Sequence, residues 1–203
     1  LNRVYTNSWD DLQIGQGRFG LMLHEDGRLL DDGVTFRLGE NHYLLSAGSG
    51  TADAVYTHIA RLLQVVWPNL RVYVTTVTSQ WANICVCGPK AREVLVSTGI
   101  DINLDADSFP FMSMREGQVA GKFSRVARVS YTGELSFEIN VRRRDGLAVW
   151  EALMDAGAAF GITPVGSETS GVLRIEKGYI SAGAEGDGIT TPFDAGMGWV
   201  VDL

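Results

Sequence analysis

The chain has 203 residues, 45% of them hydrophobic and 20% charged, enough apolar material for one large domain or two small intertwined ones. A formal net charge of -7 argues against a protein whose main business is nucleic acid, because phosphate binding needs a concentrated positive field. No run of about 18 apolar residues occurs, nor a charged start leading into an apolar stretch and a small-residue cleavage site, so neither a membrane span nor an export leader is read and a cytoplasmic protein is expected.

In chain order, the sequence opens at Leu1 without Met and stops on Val200, Val201 and Leu203, so both ends read as cuts in a longer polypeptide. Gly33 to Leu38 and His42 to Ala47 read as a hairpin about Gly39-Glu40-Asn41, with Asp31-Asp32 in the loop before it. Val55, Ile59, Leu62, Leu63 and Val66 follow a helical period that Thr51 caps and Pro68 ends. Arg71 to Thr78 and Trp81 to Cys87 are β-rich, and Pro89 opens a helix over Lys90 to Ser97. Residues 101–117 look irregular; Val119 to Tyr131 and Ser136 to Val141 then form a hairpin around Thr132-Gly133-Glu134. Asp145 caps a helix whose apolar face is Leu147, Trp150, Leu153 and Met154, and Ser167 caps another through Val172, Leu173 and Ile175. A Gly-rich tail from Gly178 ends in strand-like Trp199 to Leu203. Hairpins alternating with helices predict an α+β fold with antiparallel sheets covered by helices on one face. Approximate halves fall at 1–80 and 81–203.

Several local features could carry chemistry. Asp31-Asp32 follows the apolar Leu29-Leu30 step, so one aspartate can point inward and take a proton from a reacting amine, although Asp32-Gly33 is equally good turn chemistry. In V-S-Y-T-G-E-L-S-F-E-I-N-V, Tyr131, Phe137 and Glu138 fall at offsets a pleated strand can present to a flat heteroaromatic ligand. Glu138 can accept two parallel N–H bonds from an aminopyrimidinone edge, and Arg174 can steady the charge. Charged strand residues usually face water, so on the residues alone an ordinary hairpin is favoured. Arg142-Arg143-Arg144 is a basic cluster in an acidic chain, able to attract an anionic ligand tail or a partner's acidic surface, though such runs are more often solvated loops. Cys85 and Cys87 are read as buried free thiols set on opposite strand faces; with His24, His42 and His58 at no ligand spacing, no metal is expected. No phosphate loop and no nucleophile–base pair is found.

The order of L-M-L-H-E-D-G-R-L-L-D-D-G, V-C-G-P-K-A-R, V-S-Y-T-G-E-L-S-F-E-I, V-L-R-I-E-K-G-Y-I and T-T-P-F-D-A-G-M-G-W resembles the glycine-cleavage T-protein (aminomethyltransferase) family over nearly the whole chain. The stretches V-Y-T-N, R-F-G-L-M-L, L-R-I-E-K-G-Y-I and T-P-F-D-A-G-M-G-W look most like the folate domain of sarcosine-oxidase-type large subunits. The resemblance implies interlocked ferredoxin-like units around a folate pocket, with a C-terminal barrel beyond this chain. It implies tetrahydrofolate as cofactor, flavin and NAD only in parts outside the chain, a one-carbon donor derived from a small N-methyl amine, and other sarcosine oxidase subunits as partners. By the same resemblance Asp31 is the carboxylate near the reactive folate nitrogens, Glu138 grips the pterin, and Tyr131 and Arg174 line the pocket. Phe19 stands where relatives often have tyrosine, and Gly183 to Asp187 departs from their G-Q-D-x-D pattern. The alternatives are a non-catalytic folate-binding or assembly module, a dimethylglycine oxidase, or a glycine-cleavage aminomethyltransferase.

Overall fold

Alternating apolar positions in Gly17–Leu23 (β1) and Leu29–Gly39 (β2) give each strand two usable faces, and the computed structural model, which describes residues 1–202, covers both. The chain divides into two units, residues 1–76 together with the return segment from Ile180 onward, and residues 77–179. The fold is α+β.

In the first unit, β1, β2 and His42–Leu45 (β3) form an antiparallel sheet in that order. On one face Met22 packs with Val55 and Ile59 of the helix Ala52–Arg61 (α1). On the other, Leu21 and Leu29 pack with Met197 and Val200 of the return segment. A register shift between Met22 and Leu23 leaves Leu30 as an extra residue, so that Met22 opposes Asp31 and Leu21 opposes Asp32. Paired residues share a face, so Asp31 lies on the α1 side and Asp32 on the return-segment side. The expected loop and Asp-Gly turn at this point are therefore replaced by continuous strand. Gly33 serves another purpose: a Cβ there would sit 1.9 Å from the Ser46 carbonyl oxygen. Only glycine lets the end of β3 approach so closely.

Other expectations change in the same region. Thr51 makes no side-chain bond to the start of α1, and the helix widens into a π-turn at Leu62–Val66. Residues 71–77 form no strand, with Tyr73 96% exposed. Gly198–Val200 is a 3-10 turn in place of the expected terminal strand, whose last residue, Leu203, lies outside the described residues.

The second unit is built on a four-stranded antiparallel sheet of Trp81–Cys87 (β4), Ser113–Val119 (β5), Lys122–Arg128 (β6) and Ser136–Arg142 (β7), in the order β4-β7-β6-β5. Ile84, Val86, Val126, Phe137, Ile139 and Val141 form its apolar face. Val94 and Leu95 of the helix Ala91–Ser97 (α2), and Val149 and Leu153 of Gly146–Gly157 (α3), pack on that face. Alternation places Trp81, Asn83, Cys85, Phe123, Arg125, Glu138, Asn140 and Arg142 on the opposite face. Cys85 and Cys87, two residues apart, share this face instead of taking opposite ones; both are free thiols, and Cys85 and Cys87 are exposed and half-buried, not buried.

Here too the local reading is corrected. β5 emerges from the region read as irregular, and the long strand from Val119 breaks at Ala120-Gly121, both with positive φ (49° and 70°), into a β5–β6 hairpin. α3 buries Val149 and Leu153 while Leu147 and Trp150 are exposed, and the helix Ser167–Lys177 (α4) buries Arg174 and leaves Val172 and Ile175 outside.

Because the Cβ clash at residue 33 is with backbone, Gly33→Ala should lower stability by about 3 kcal/mol. Gly27→Asn, at φ +81° with open space around it, should cost under about 1 kcal/mol. Urea unfolding of the two variants checks this; equal midpoints would remove the close-approach explanation.

Candidate functional site

Each unit contains a carboxylate whose proton affinity is raised by burial, Asp31 fully buried and Glu138 half-buried. In the first, the β1–β2 register turns Asp31 toward the segment that links β3 to α1, where it is 4% exposed. The Gly48 N–H donates to it at 3.2 and 3.3 Å, and the Thr51 hydroxyl lies 2.5 Å from Oδ1. That hydroxyl is also 3.1 Å from the Gly48 carbonyl oxygen. Its one proton can therefore go to an ionised Asp31, or turn to the carbonyl when Asp31 carries a proton of its own. Burial raises the Asp31 pKa above the usual aspartate value, and the Thr51 and Gly48 bonds hold part of that rise back. The group is thus a better proton acceptor than a surface aspartate. Tyr5 lies on the same side of the sheet, its hydroxyl 3.4 Å from that of Thr35, and burial pushes its pKa up as well.

Asp32, on the other face, accepts a 2.7 Å bond from the Ala182 N–H and so fastens the return segment. Phe19 lies on that face too, its ring stacked on Trp199 with centroids 6.2 Å apart, and does not share the face of Asp31.

In the second unit Glu138 sits in mid-strand on the polar face of the sheet, opposite Cys85 on β4 and Ala127 on β6. The Asn83 amide donates to its Oε2 at 3.2 Å and to Asn140 Oδ1 at 3.0 Å. Burial raises the Glu138 pKa, with the Asn83 bond opposing the rise. Tyr131 lies in the β6–β7 connection, half-exposed. Beside it the buried hydroxyls of Ser130 and Thr132 have no hydrogen-bond partner among the described residues. Arg174 is 5% exposed and donates from Nη1 to the Tyr179 carbonyl oxygen at 2.9 Å. The structure thus groups Asp31 and Phe19 in one unit, and Tyr131, Glu138 and Arg174 in the other.

Thr51, Gly48, Asn83 and Asn140 escaped the sequence reading. Thr51 was taken for a helix cap, and Asn83 and Asn140 acquire their place only through cross-strand register. Among the described residues no group of three or more His, Cys, Asp or Glu could hold a metal ion, and no helix is long and apolar enough to cross a membrane.

The whole chain, residues 1–203, matches the model of the GCVT N-terminal domain family. It is 44% identical over 202 residues to sarcosine oxidase subunit alpha of Corynebacterium sp. (strain U-96), covering 99% of this chain and 21% of that protein. It is 32% identical over 203 residues to the aminomethyltransferase of Chloroherpeton thalassium, covering 100% of this chain and 54% of that one. The chain therefore spans about a fifth of the first relative and about half of the second. Among solved structures, the glycine cleavage system aminomethyltransferase T of Bartonella henselae superposes with a TM-score of 0.83 at 28% identity, over 98% of this chain and 51% of that one.

The raised pKa of Glu138 has a stability consequence. A carboxylate whose folded pKa exceeds its unfolded value favours the fold while protonated, below about pH 4, and loses that contribution as pH rises through the folded value. Glu138→Gln should therefore have a higher urea midpoint than the parent at pH 7, with the gap closing below about pH 4. A gap that is absent or independent of pH would contradict the burial argument.

Proposed function

Because the chain belongs to the GCVT N-terminal domain family, we propose that it binds tetrahydrofolate and accepts a one-carbon unit from an oxidised N-methyl amine, as the folate module of a sarcosine oxidase. The observation that carries this reading is a pair of carboxylates of different design. Asp31 is clamped by a hydroxyl able to serve either protonation state, and Glu138 is an acceptor flanked by amides on a polar sheet face. The higher identity to the sarcosine oxidase subunit than to the aminomethyltransferase favours an amine oxidase parent over a glycine-cleavage one.

The residues present fit a reduced pterin. Glu138 offers two oxygens to parallel N–H groups on an aminopyrimidinone edge, and Ser130 and Thr132 bring buried hydroxyls that still lack a partner among the described residues. Tyr131 supplies a ring face. Arg174, held by the Tyr179 carbonyl, keeps a fixed positive charge for a ligand carbonyl. When bound, tetrahydrofolate would supply two nitrogen nucleophiles whose bonds to the one-carbon unit replace its bonds to the donor nitrogen, which departs as the demethylated amine. Asp31 would take up the proton that a folate nitrogen loses on bonding to the carbon, and Thr51 would turn its own proton to the Gly48 carbonyl to accommodate it. Flavin and NAD belong to parts of the enzyme outside this chain, whose other subunits are its partners in the cytoplasm.

Calorimetric titration with tetrahydrofolate tests the binding site. Glu138→Ala should weaken binding at least tenfold, since two charge-assisted bonds are lost; equal affinity would remove Glu138 from the site. In the parent, affinity should fall as pH drops through the raised Glu138 pKa, because N–H donors favour its ionised form. In the intact enzyme, Asp31→Asn should leave binding within about threefold and reduce carbon transfer about a hundredfold or more. Thr51→Val should move the acidic limb of the transfer profile to higher pH, since a bond that lowers the Asp31 pKa is removed. Unchanged transfer in Asp31→Asn would end its catalytic assignment.

A further inference from the structure

Cys85 and Cys87 are the two cysteines of the chain, and pterin binding leaves both without a role. β4 carries them side by side on its polar face, where Cys85 pairs in register with Glu138 and Cys87 with Ser136 of β7. Cys85 is exposed and Cys87 half-buried, so the pair can be reached from solvent. The two thiols are within hydrogen-bonding reach of each other. Lost hydration beside β7 pushes the Cys85 pKa up to about 11; the Ser136 bond opposes that rise, and the Cys87 thiol and the Glu138 charge add to it. The Ser136 hydroxyl, itself 3% exposed, lies 3.3 Å from Cys85 Sγ.

Two common uses of a thiol pair do not fit. With so high a pKa, Cys85 is protonated at neutral pH and is no nucleophile. A disulfide needs Cβ atoms about 3.8 Å apart, whereas residues two apart on one strand face stand about 6.6 Å from each other. One atom between the sulfurs does fit. Two metal–thiolate bonds of about 2.3 Å in line set the sulfurs about 4.6 Å apart, a span that side chains leaning together from about 6.6 Å reach without moving the strand. We propose that Cys85 and Cys87 form a two-coordinate site for a soft monovalent cation of the copper(I) class. Thiolate ligands select such an ion. Zinc takes four ligands, and among the described residues no third His, Cys, Asp or Glu completes a group around the pair. Binding makes two sulfur–metal bonds and releases both thiol protons to solvent, with no change of oxidation state. The resulting bis-thiolate carries one net negative charge, and the Ser136 hydroxyl stabilises it by donating to Cys85 Sγ. The site stands independently of the folate reading.

The test is an anaerobic titration of the reduced protein with copper(I) in competition with a chromophoric copper(I) chelator. The parent should withdraw one equivalent of copper from the chelator and keep it in the presence of excess zinc. Cys85→Ser and Cys87→Ser should each weaken that binding about a hundredfold or more, because a two-coordinate ion loses half of its soft ligands. Ser136→Ala should weaken it about tenfold by removing the donor behind Cys85. X-ray absorption at the copper edge of the loaded parent should show two sulfur neighbours and no nitrogen or oxygen, a result that decides the matter even where a serine variant fails to fold. Copper capture that survives in either folded serine variant, displacement by zinc, or a copper centre with nitrogen or oxygen neighbours overturns the proposal.

Discussion

The pairing register of β1 and β2 governs the first unit. One extra residue at Leu30 sets Met22 against Asp31 and Leu21 against Asp32. From that follow the apolar contact with α1, the contact with the return segment, the hydroxyl clamp on Asp31 and the backbone bond on Asp32. A slip of β2 by one residue would turn Asp32 toward Thr51 and Asp31 toward the return segment. Two adjacent acidic residues of identical chemistry thus acquire different surroundings, one clamped by a hydroxyl and a backbone amide and one fastening the return segment, solely from the face each occupies.

The second unit reaches a comparable result by one-sided burial. Its sheet spends Ile84, Val86, Phe137, Ile139 and Val141 on a core with α2 and α3, leaving the alternate positions free for polar groups. Glu138 sits in mid-ladder, where its neighbours are fixed by strand pairing and only one amide compensates for lost water. Burial raises its proton affinity, and the Asn83 amide holds part of that rise back. The same face continues into Trp81, Arg125 and Arg142, so one pleated surface carries an acceptor, amides, aromatic rings and cations in sequence.

Much of this was readable along the chain wherever the deciding interaction is local. The β2–β3 and β6–β7 hairpins, α1 and β4 follow from periodicity and from Gly39-Glu40-Asn41 and Thr132-Gly133-Glu134 as turns. The failures share a cause. Asp32-Gly33 has turn chemistry, yet Gly33 is required by the Ser46 carbonyl, thirteen positions away and invisible to a local window. β5 is polar enough to pass for loop, and its boundary hangs on Ala120-Gly121. α4 reverses the usual rule by burying Arg174 and exposing Val172 and Ile175, which composition alone would assign the other way. Asp31 and Glu138 were singled out through the family resemblance, while their partners Thr51, Gly48 and Asn83 became visible only once register and loop closure set them in place.

The interruption of the first unit also bears on how the chain is made. The Thr6 hydroxyl bonds the Val200 carbonyl oxygen, and the Leu29 N–H bonds that of Thr190, so residues near the start of the chain depend on residues synthesised more than a hundred positions later. On the ribosome β1 and β2 emerge with the Leu21–Leu29 face bare, while residues 77–179, continuous in sequence, have all their own core residues in hand first. The later-encoded unit is thus equipped to fold first, and the nascent β1–β2 hairpin must stay protected from aggregation through the translation of about a hundred and fifty residues, a vulnerability set by chain connectivity and independent of the stability of the finished protein.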